Sequence, residues 1–202
     1  MGKAMKTEKG RRAIGAVKNT VIVVCLATVI ISATFFAVRS ILKAEFPMKY
    51  QDKISLYAET YGVPEDLLYG VIHTESGYDE KAKSHAGAIG LTQITPETFL
   101  WLQTKTGETL PEALYDADTS VKYCAVFYGL LLKEFGGDEK TAIAAYHAGR
   151  GQVNAWLRDP DISPDGKTLV NIPESETKKY VEKVQRAVSI YDKLYKKELN
   201  KI

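Results

Sequence analysis

The sequence predicts a predominantly α-helical domain behind a single N-terminal transmembrane helix. Three observations carry this expectation. The run Asn19 to Val38, 20 residues long, holds no charged side chain. Beyond it, apolar residues recur at helical spacing between capping residues and glycines. No alternating stretch is long enough to build a sheet. The 202 residues suit one domain with an attachment, and 26% charged with 45% hydrophobic residues excludes a multi-span, disordered or collagen-like chain.

The attachment comes first. Residues 1–18 contain six bases (Lys3, Lys6, Lys9, Arg11, Arg12, Lys18) and one acid (Glu8), a net of +5, whereas the remainder carries 21 bases and 24 acids, a net of −3. This balance is too even for a nucleic-acid binder that works by charge alone. At about 1.5 Å per residue, the uncharged run as a helix crosses the roughly 30 Å hydrocarbon layer, where only a helix satisfies its own backbone groups. It exceeds the roughly 7–15 apolar residues of a signal peptide. The reading is therefore a cytoplasmic basic tail at 1–18, an uncleaved anchor at 19–40, a linker at 41–47 and an outward-facing domain at 48–202. Cleavage after Ala37 is the alternative. Cys25 lacks the preceding small residues of a lipid-attachment site. Cys25 and Cys124 form no disulfide framework, and Cys124 is expected as a small buried hydrophobe.

The domain is punctuated by caps. A first helix is expected from Pro47 to Tyr61, ended by Gly62. A second opens at Pro64, with Glu65 and Asp66 in the first turn where the helix dipole favours acids, and stops at Gly77. Residues 84–95 are small and Gly-rich, which predicts a compact loop or minor hairpin. Thr95 caps a third helix with Pro96 at its first position. Val121, Cys124, Ala125, Tyr128, Leu131, Leu132 and Phe135 follow the i, i+3, i+4, i+7 rhythm up to Gly136-Gly137. Asp138 caps a helix through Ala148, a short one follows at 152–158, and Asp159 to Asn171 reads as a loop. The last helix carries Val181, Val184, Val188, Tyr191 and Tyr195 on one side.

One acid is out of place. Glu75 continues the apolar stripe of Leu68, Val71 and Ile72, so its side chain is expected on the core side. It also lies in the last helical turn, where the negative dipole end disfavours a carboxylate. Desolvation raises a carboxyl pKa in the same direction, and a carboxyl kept protonated near neutrality is what a general acid requires.

The text around it is more specific. His73-Thr-Glu75-Ser76-Gly-Tyr-Asp79, followed by Ser84-His-Ala-Gly-Ala-Ile-Gly90-Leu-Thr-Gln93-Ile94, resembles the core of the lytic transglycosylases with a soluble-lytic-transglycosylase-type domain. Ala145-Tyr146-His147-Ala148-Gly149 is similar to that family's Ala-Tyr-Asn-Ala-Gly element. Ile172-Pro173-Glu174-Ser175-Glu176-Thr177, followed by Tyr180-Val181, is similar to its third element. The resemblance runs over residues 48–195. It implies a lysozyme-like α+β fold, mostly helical, that cleaves the β-1,4 bond between N-acetylmuramic acid and N-acetylglucosamine and leaves 1,6-anhydromuramyl ends. It implies Glu75 as the single catalytic acid/base, and places its usual neighbour Ser76, and Glu176, among the substrate-binding residues. It places Ser84, Gln93, Tyr146 and His147 along the sugar cleft, and makes Glu176 a buried acid that helps hold the site together. It calls for no metal and no cofactor, and for peptidoglycan as partner; the membrane is expected as a partner through residues 19–40. His147 stands where the family has Asn; Thr92 and Thr95 stand where it often has Met, which makes the cleft wall more polar. A hydrolytic muramidase on the same fold and an inactive wall-binding scaffold are the alternatives.

Overall fold

The computed structural model describes residues 2–111 and 113–199, with side chains from residue 18 onward. The chain divides into two compact units, Met1–Glu45 and Phe46–Ile202. The first is one helix, α1 (Gly2–Glu45). Its stretch Lys18–Glu45 is long and apolar enough to cross a membrane. At about 1.5 Å per residue its 28 residues reach about 42 Å. The side chains of Val21, Ile30, Ile31, Phe35 and Phe36 are all exposed.

The second unit contains α2 (Gln51–Tyr61), α3 (Glu65–Ser76), α4 (Pro96–Thr106), α5 (Ala117–Glu134), α6 (Glu139–Ala148), α7 (Arg150–Trp156) and α8 (Ser175–Leu199). Caps explain most of the boundaries. Thr95, Asp116 and Asp138 each accept a hydrogen bond from the backbone N–H three residues on, at the starts of α4, α5 and α6. Gly62 and Gly77 end α2 and α3 in the left-handed conformation.

Two boundaries differ from expectation. The first helix of the domain opens at Gln51, not Pro47, because Tyr50 adopts φ 58° and breaks the helical path. The preceding residues are tied elsewhere: the Phe46 carbonyl accepts from Tyr195 Oη at 2.8 Å, and the Pro47 carbonyl from Tyr191 Oη at 3.1 Å. The short helix starts at Arg150, immediately after Gly149 at φ 87° turns the chain. The expected minor hairpin between α3 and α4 is reduced to isolated bridges, Lys83 with Ile89 and Ile89 with Ile94. Among the described residues there is no strand.

Packing follows the apolar faces. On α5, Val121, Tyr123, Cys124, Ala125, Tyr128 and Leu131 are buried, and this helix packs against α2, α4 and α6. Helix α3 lies along α8. Gly70 makes that approach possible, since a Cβ there would fall 2.7 Å from Val188 Cγ2 and 3.1 Å from its backbone nitrogen. This close pairing brings the end of α3 to the first turns of α8.

Candidate active site

The site is built at the last turn of α3. Glu75 lies one residue before the end of this helix, half-buried. Its Oε1 accepts a 2.6 Å hydrogen bond from Tyr180 Oη on α8. Burial pushes the Glu75 pKa up from the ordinary carboxyl value to about 7, and the Tyr180 hydrogen bond, which favours the ionised form, only partly offsets this. At neutral pH the group is poised between protonated and ionised forms, able both to give and to take a proton.

Glu75 opens into a cleft of about 290 Å3 lined also by Ser84, Gln93, Thr95, Phe127, Tyr146 and His147. It is the only carboxylate among the lining residues. The loop between α3 and α4 supplies one wall. Gly90 there adopts φ 75°, and a Cβ would fall 2.0 Å from the Leu114 carbonyl oxygen, so only glycine fits. Gln93 follows at φ 51°. Both of its amide hydrogens are engaged, with the Gly90 carbonyl at 2.9 Å and the Ala82 carbonyl at 3.2 Å. What the side chain still offers is its carbonyl Oε1, an acceptor. Ser84 Oγ accepts from the Ala88 N–H at 3.0 Å and keeps its own hydrogen to donate. Tyr146 stacks on Tyr128 at 4.7 Å and donates to the Thr92 carbonyl at 2.6 Å, tying α6 to the loop.

His147 belongs to two walls. It lines this cleft and an adjoining hollow of about 580 Å3 with Gln152, Trp156, Pro173 and Glu174. Its ring stacks on Tyr180 at 4.5 Å, and its Nδ1 lies 3.0 Å from Thr177 Oγ1. Thr177 donates its one hydroxyl hydrogen to Glu174 Oε2 at 2.6 Å. It therefore accepts from His147, which sets the hydrogen on Nδ1 and leaves Nε2 as the ring's free nitrogen.

Three expectations need correction. Ser76 does not line the cleft; its hydroxyl donates to the Leu91 carbonyl at 2.8 Å and accepts from the Tyr78 N–H at 3.1 Å, locking α3 to the loop. Glu176 is exposed, not buried. It sits in the first turn of α8, where the positive dipole end accommodates a carboxylate in contact with water. The acid drawn into the hydrogen-bonded cluster is Glu174. Thr92 is fully buried, bonded to Ser120 Oγ at 3.0 Å, and adds nothing polar to the wall, whereas Thr95 lines the cleft and caps α4. Tyr180 and Thr177 were not singled out as site residues. The signal available was that both fall on the buried side of the last helix, four residues before Val184 and Val181 respectively. Among the described residues no group of three or more His, Cys, Asp or Glu is placed to hold a metal ion.

Residues 52–168 match the family model described as the transglycosylase SLT domain. The chain belongs to this family. Over 159 residues the SLT-domain chain is 31% identical to the soluble lytic murein transglycosylase of Escherichia coli, which covers 77% of this chain and 24% of that protein. Over 127 residues it is 31% identical to the membrane-bound lytic murein transglycosylase C of Haemophilus influenzae, covering 57% of this chain and 36% of that one. An inactive glutamate-to-glutamine mutant of the lytic transglycosylase Slt from Pseudomonas aeruginosa superposes with a TM-score of 0.66 at 28% identity, covering 75% of this chain and 25% of that one. The chain thus spans about a quarter of the length of the soluble relatives it matches. The fold is the helical, lysozyme-like one expected.

Proposed function

We propose that residues 48–202 form the catalytic domain of a peptidoglycan lytic transglycosylase and that residues 19–40 anchor it in a membrane. The observation that carries the chemistry is Glu75, the one acid among the described residues lining the cleft, its pKa raised to about 7 by burial and its carboxylate contacted by a tyrosine hydroxyl. Glycoside cleavage passes through an oxocarbenium-like state, and the leaving oxygen needs a proton. Glu75 gives that proton to the oxygen joining N-acetylmuramic acid to N-acetylglucosamine. With no second carboxylate among the described residues that line the cleft, the muramic acid N-acetyl group stabilises the cationic carbon, as in substrate-assisted hydrolases. The ionised Glu75 then takes the proton of the sugar's 6-hydroxyl as that oxygen bonds to the anomeric carbon. One C–O bond breaks and one forms, Glu75 ends protonated, and no water is consumed. The intramolecular nucleophile competes with solvent through proximity.

Tyr180 supports the first half-step, because its hydrogen bond strengthens as Glu75 gains charge, and it holds the carboxylate in position for the second. Ser84 and Gln93 offer a donor and an acceptor to sugar hydroxyls and to the N-acetyl group, and Tyr146 and His147 complete the wall. A single glutamate-to-glutamine exchange marks the inactive relative, which supports a reading in which one glutamate is decisive.

For the anchor, the apolar stretch Lys18–Glu45 and the membrane-bound relative point the same way. The basic tail supports an N-terminus in the cytoplasm with the catalytic domain outside. Digesting purified wall with the detergent-solubilised chain and weighing the fragments tests the reaction. Fragments lighter by one water than reducing ends are expected, and none from Glu75→Gln. Reducing ends would assign a muramidase, and no fragments from the unaltered chain a scaffold. Protease added to intact spheroplasts tests the orientation, and is expected to digest the domain and spare the tail.

A further inference from the structure

Helix α8 has a second face that the proposed reaction does not use. Lys179, Lys183, Arg186 and Lys193 follow one another at i, i+4, i+7 and i+14, so successive 100° steps return all four to one side of the helix. The position between them on that side, Ile190, is the one uncharged member. The opposite side holds the buried Val181, Val184, Tyr191 and Tyr195. All four basic side chains are exposed, and none is paired with a carboxylate among the described residues. From Lys179 to Lys193 the acids are Glu182 and Asp192, against four bases. A solvated helix face normally mixes signs; along this stripe the four charges are all positive, with Glu182 and Glu176 at its borders.

The middle of this stripe borders a pocket of about 270 Å3. Lys183 and Arg186 stand exposed on one side, with buried Ala187 beside them, and Phe46, His73 and Thr74 complete it. Phe46 stacks flat on His73 at 4.2 Å, which fixes this wall. Phe46 is also the residue that follows Glu45, the end of the membrane-length apolar stretch. Adjacent Cα atoms are about 3.8 Å apart, so chain connectivity alone holds this pocket close to the end of the anchor.

We propose that this basic face of α8, centred on the pocket of Phe46, Lys183 and Arg186, binds the phosphate of an anionic membrane phospholipid. The inference rests on the anchor described above and adds a second membrane contact to it. The anchor keeps the domain at the bilayer, and a second, electrostatic contact limits the postures it can adopt there. Each lysine or arginine near an anionic surface favours the bound state by roughly fivefold, and the effect fades with added salt. The contact would set which way the cleft faces above the bilayer, with Glu75 one residue beyond Thr74 of the pocket.

The test uses the full chain in nanodiscs, of phosphatidylcholine alone or with about a third phosphatidylglycerol. Lysine acylation rates are read residue by residue by mass spectrometry, with Lys105 and Lys133 on other helices as references. Slowing of Lys179, Lys183 and Lys193 by about fivefold in the anionic discs, reversed by high salt, is expected. In K183E/R186E, whose changes are both on the surface, Lys179 and Lys193 should react equally fast in both discs. Equal rates for the unaltered chain in both compositions would overturn the proposal alone. A chain that enters neither disc would overturn the anchor and this proposal together. Protection by inorganic phosphate in neutral discs would show a free-anion site and reject the lipid. A raised KM for soluble wall fragments in K183E/R186E, with lipid protection unchanged, would assign the stripe to substrate and overturn the proposal.

Discussion

Tyr180 Oη on α8 and Glu75 Oε1 on α3 lie 2.6 Å apart across 105 residues of chain. The bond is the one interaction that stabilises Glu75 in its ionised form, against a burial that favours the protonated one. The position of the Glu75 titration near neutrality is therefore a balance between two helices.

Tyr180→Phe removes one side of that balance. Glu75 must be protonated to act as the acid, so activity falls as pH rises through its pKa. Loss of the hydroxyl raises that pKa and moves the alkaline limb of the rate profile to higher pH. A charge-assisted hydrogen bond of about 1.5–3 kcal/mol corresponds to a displacement of about one unit or more. A profile of kcat/KM against pH checks this, and a limb that stays put or moves down would separate Tyr180 from the proton transfer.

Glu75→Gln is expected to leave the fold intact and to stabilise it in one pH range only. The folded pKa is raised from 4.5 to about 7, so folding is disfavoured once the unfolded chain ionises and the folded one resists. The cost grows from about pH 4.5 and is complete above about pH 7. One unit corresponds to about 1.4 kcal/mol, and partial contact with water reduces the total to about 2 kcal/mol. Thermal midpoints of variant and wild type should coincide at pH 4 and diverge at pH 8 in favour of the variant. Equal midpoints at both values would place Glu75 in open solvent.

Gly90→Ala tests the loop that carries Gln93. The new Cβ meets the Leu114 carbonyl at 2.0 Å in a backbone conformation that alanine resists, and neither side can yield cheaply. Destabilisation of about 3 kcal/mol or more is expected from denaturant unfolding. Gly149→Ala serves as the control, since φ is also positive there but nothing lies within 4 Å, and about 1–2 kcal/mol is expected.

The hydrogen on His147 is fixed by Thr177. With the Thr177 hydroxyl hydrogen committed to Glu174, the neutral imidazole carries its hydrogen on Nδ1. Nitrogen-15 shifts of the labelled ring should show that tautomer in the wild type and lose the preference in Thr177→Val. A ring protonated on Nε2 in the wild type would reverse the donor order of the cluster.

Helix existence and caps were legible because both are local. Thr95, Asp116 and Asp138 can each accept from the N–H three residues on without reference to anything distant, and the alternation of buried and exposed positions on α5 follows from a period of 3.6. Glu75 stood out for the same reason, as an acid on an apolar stripe. The start of α2 was misread because Phe46 and Pro47 give their carbonyls to two tyrosines near the far end of the chain. Glu176 was misread because a match in spacing says nothing about whether an element packs over the first turn of a helix.

The order of residues alone determined the helices, the apolar segment long enough for a membrane, and which carboxyl is out of register with its surroundings. All of these depend on neighbours within a turn or two. Only the packed molecule decided that Tyr180 donates to Glu75, that Glu174 takes the cluster position expected of Glu176, and that Ser76 faces the loop. The first of these joins two helices whose separation is set by Gly70 against Val188, and none of the three has a local periodicity to reveal it.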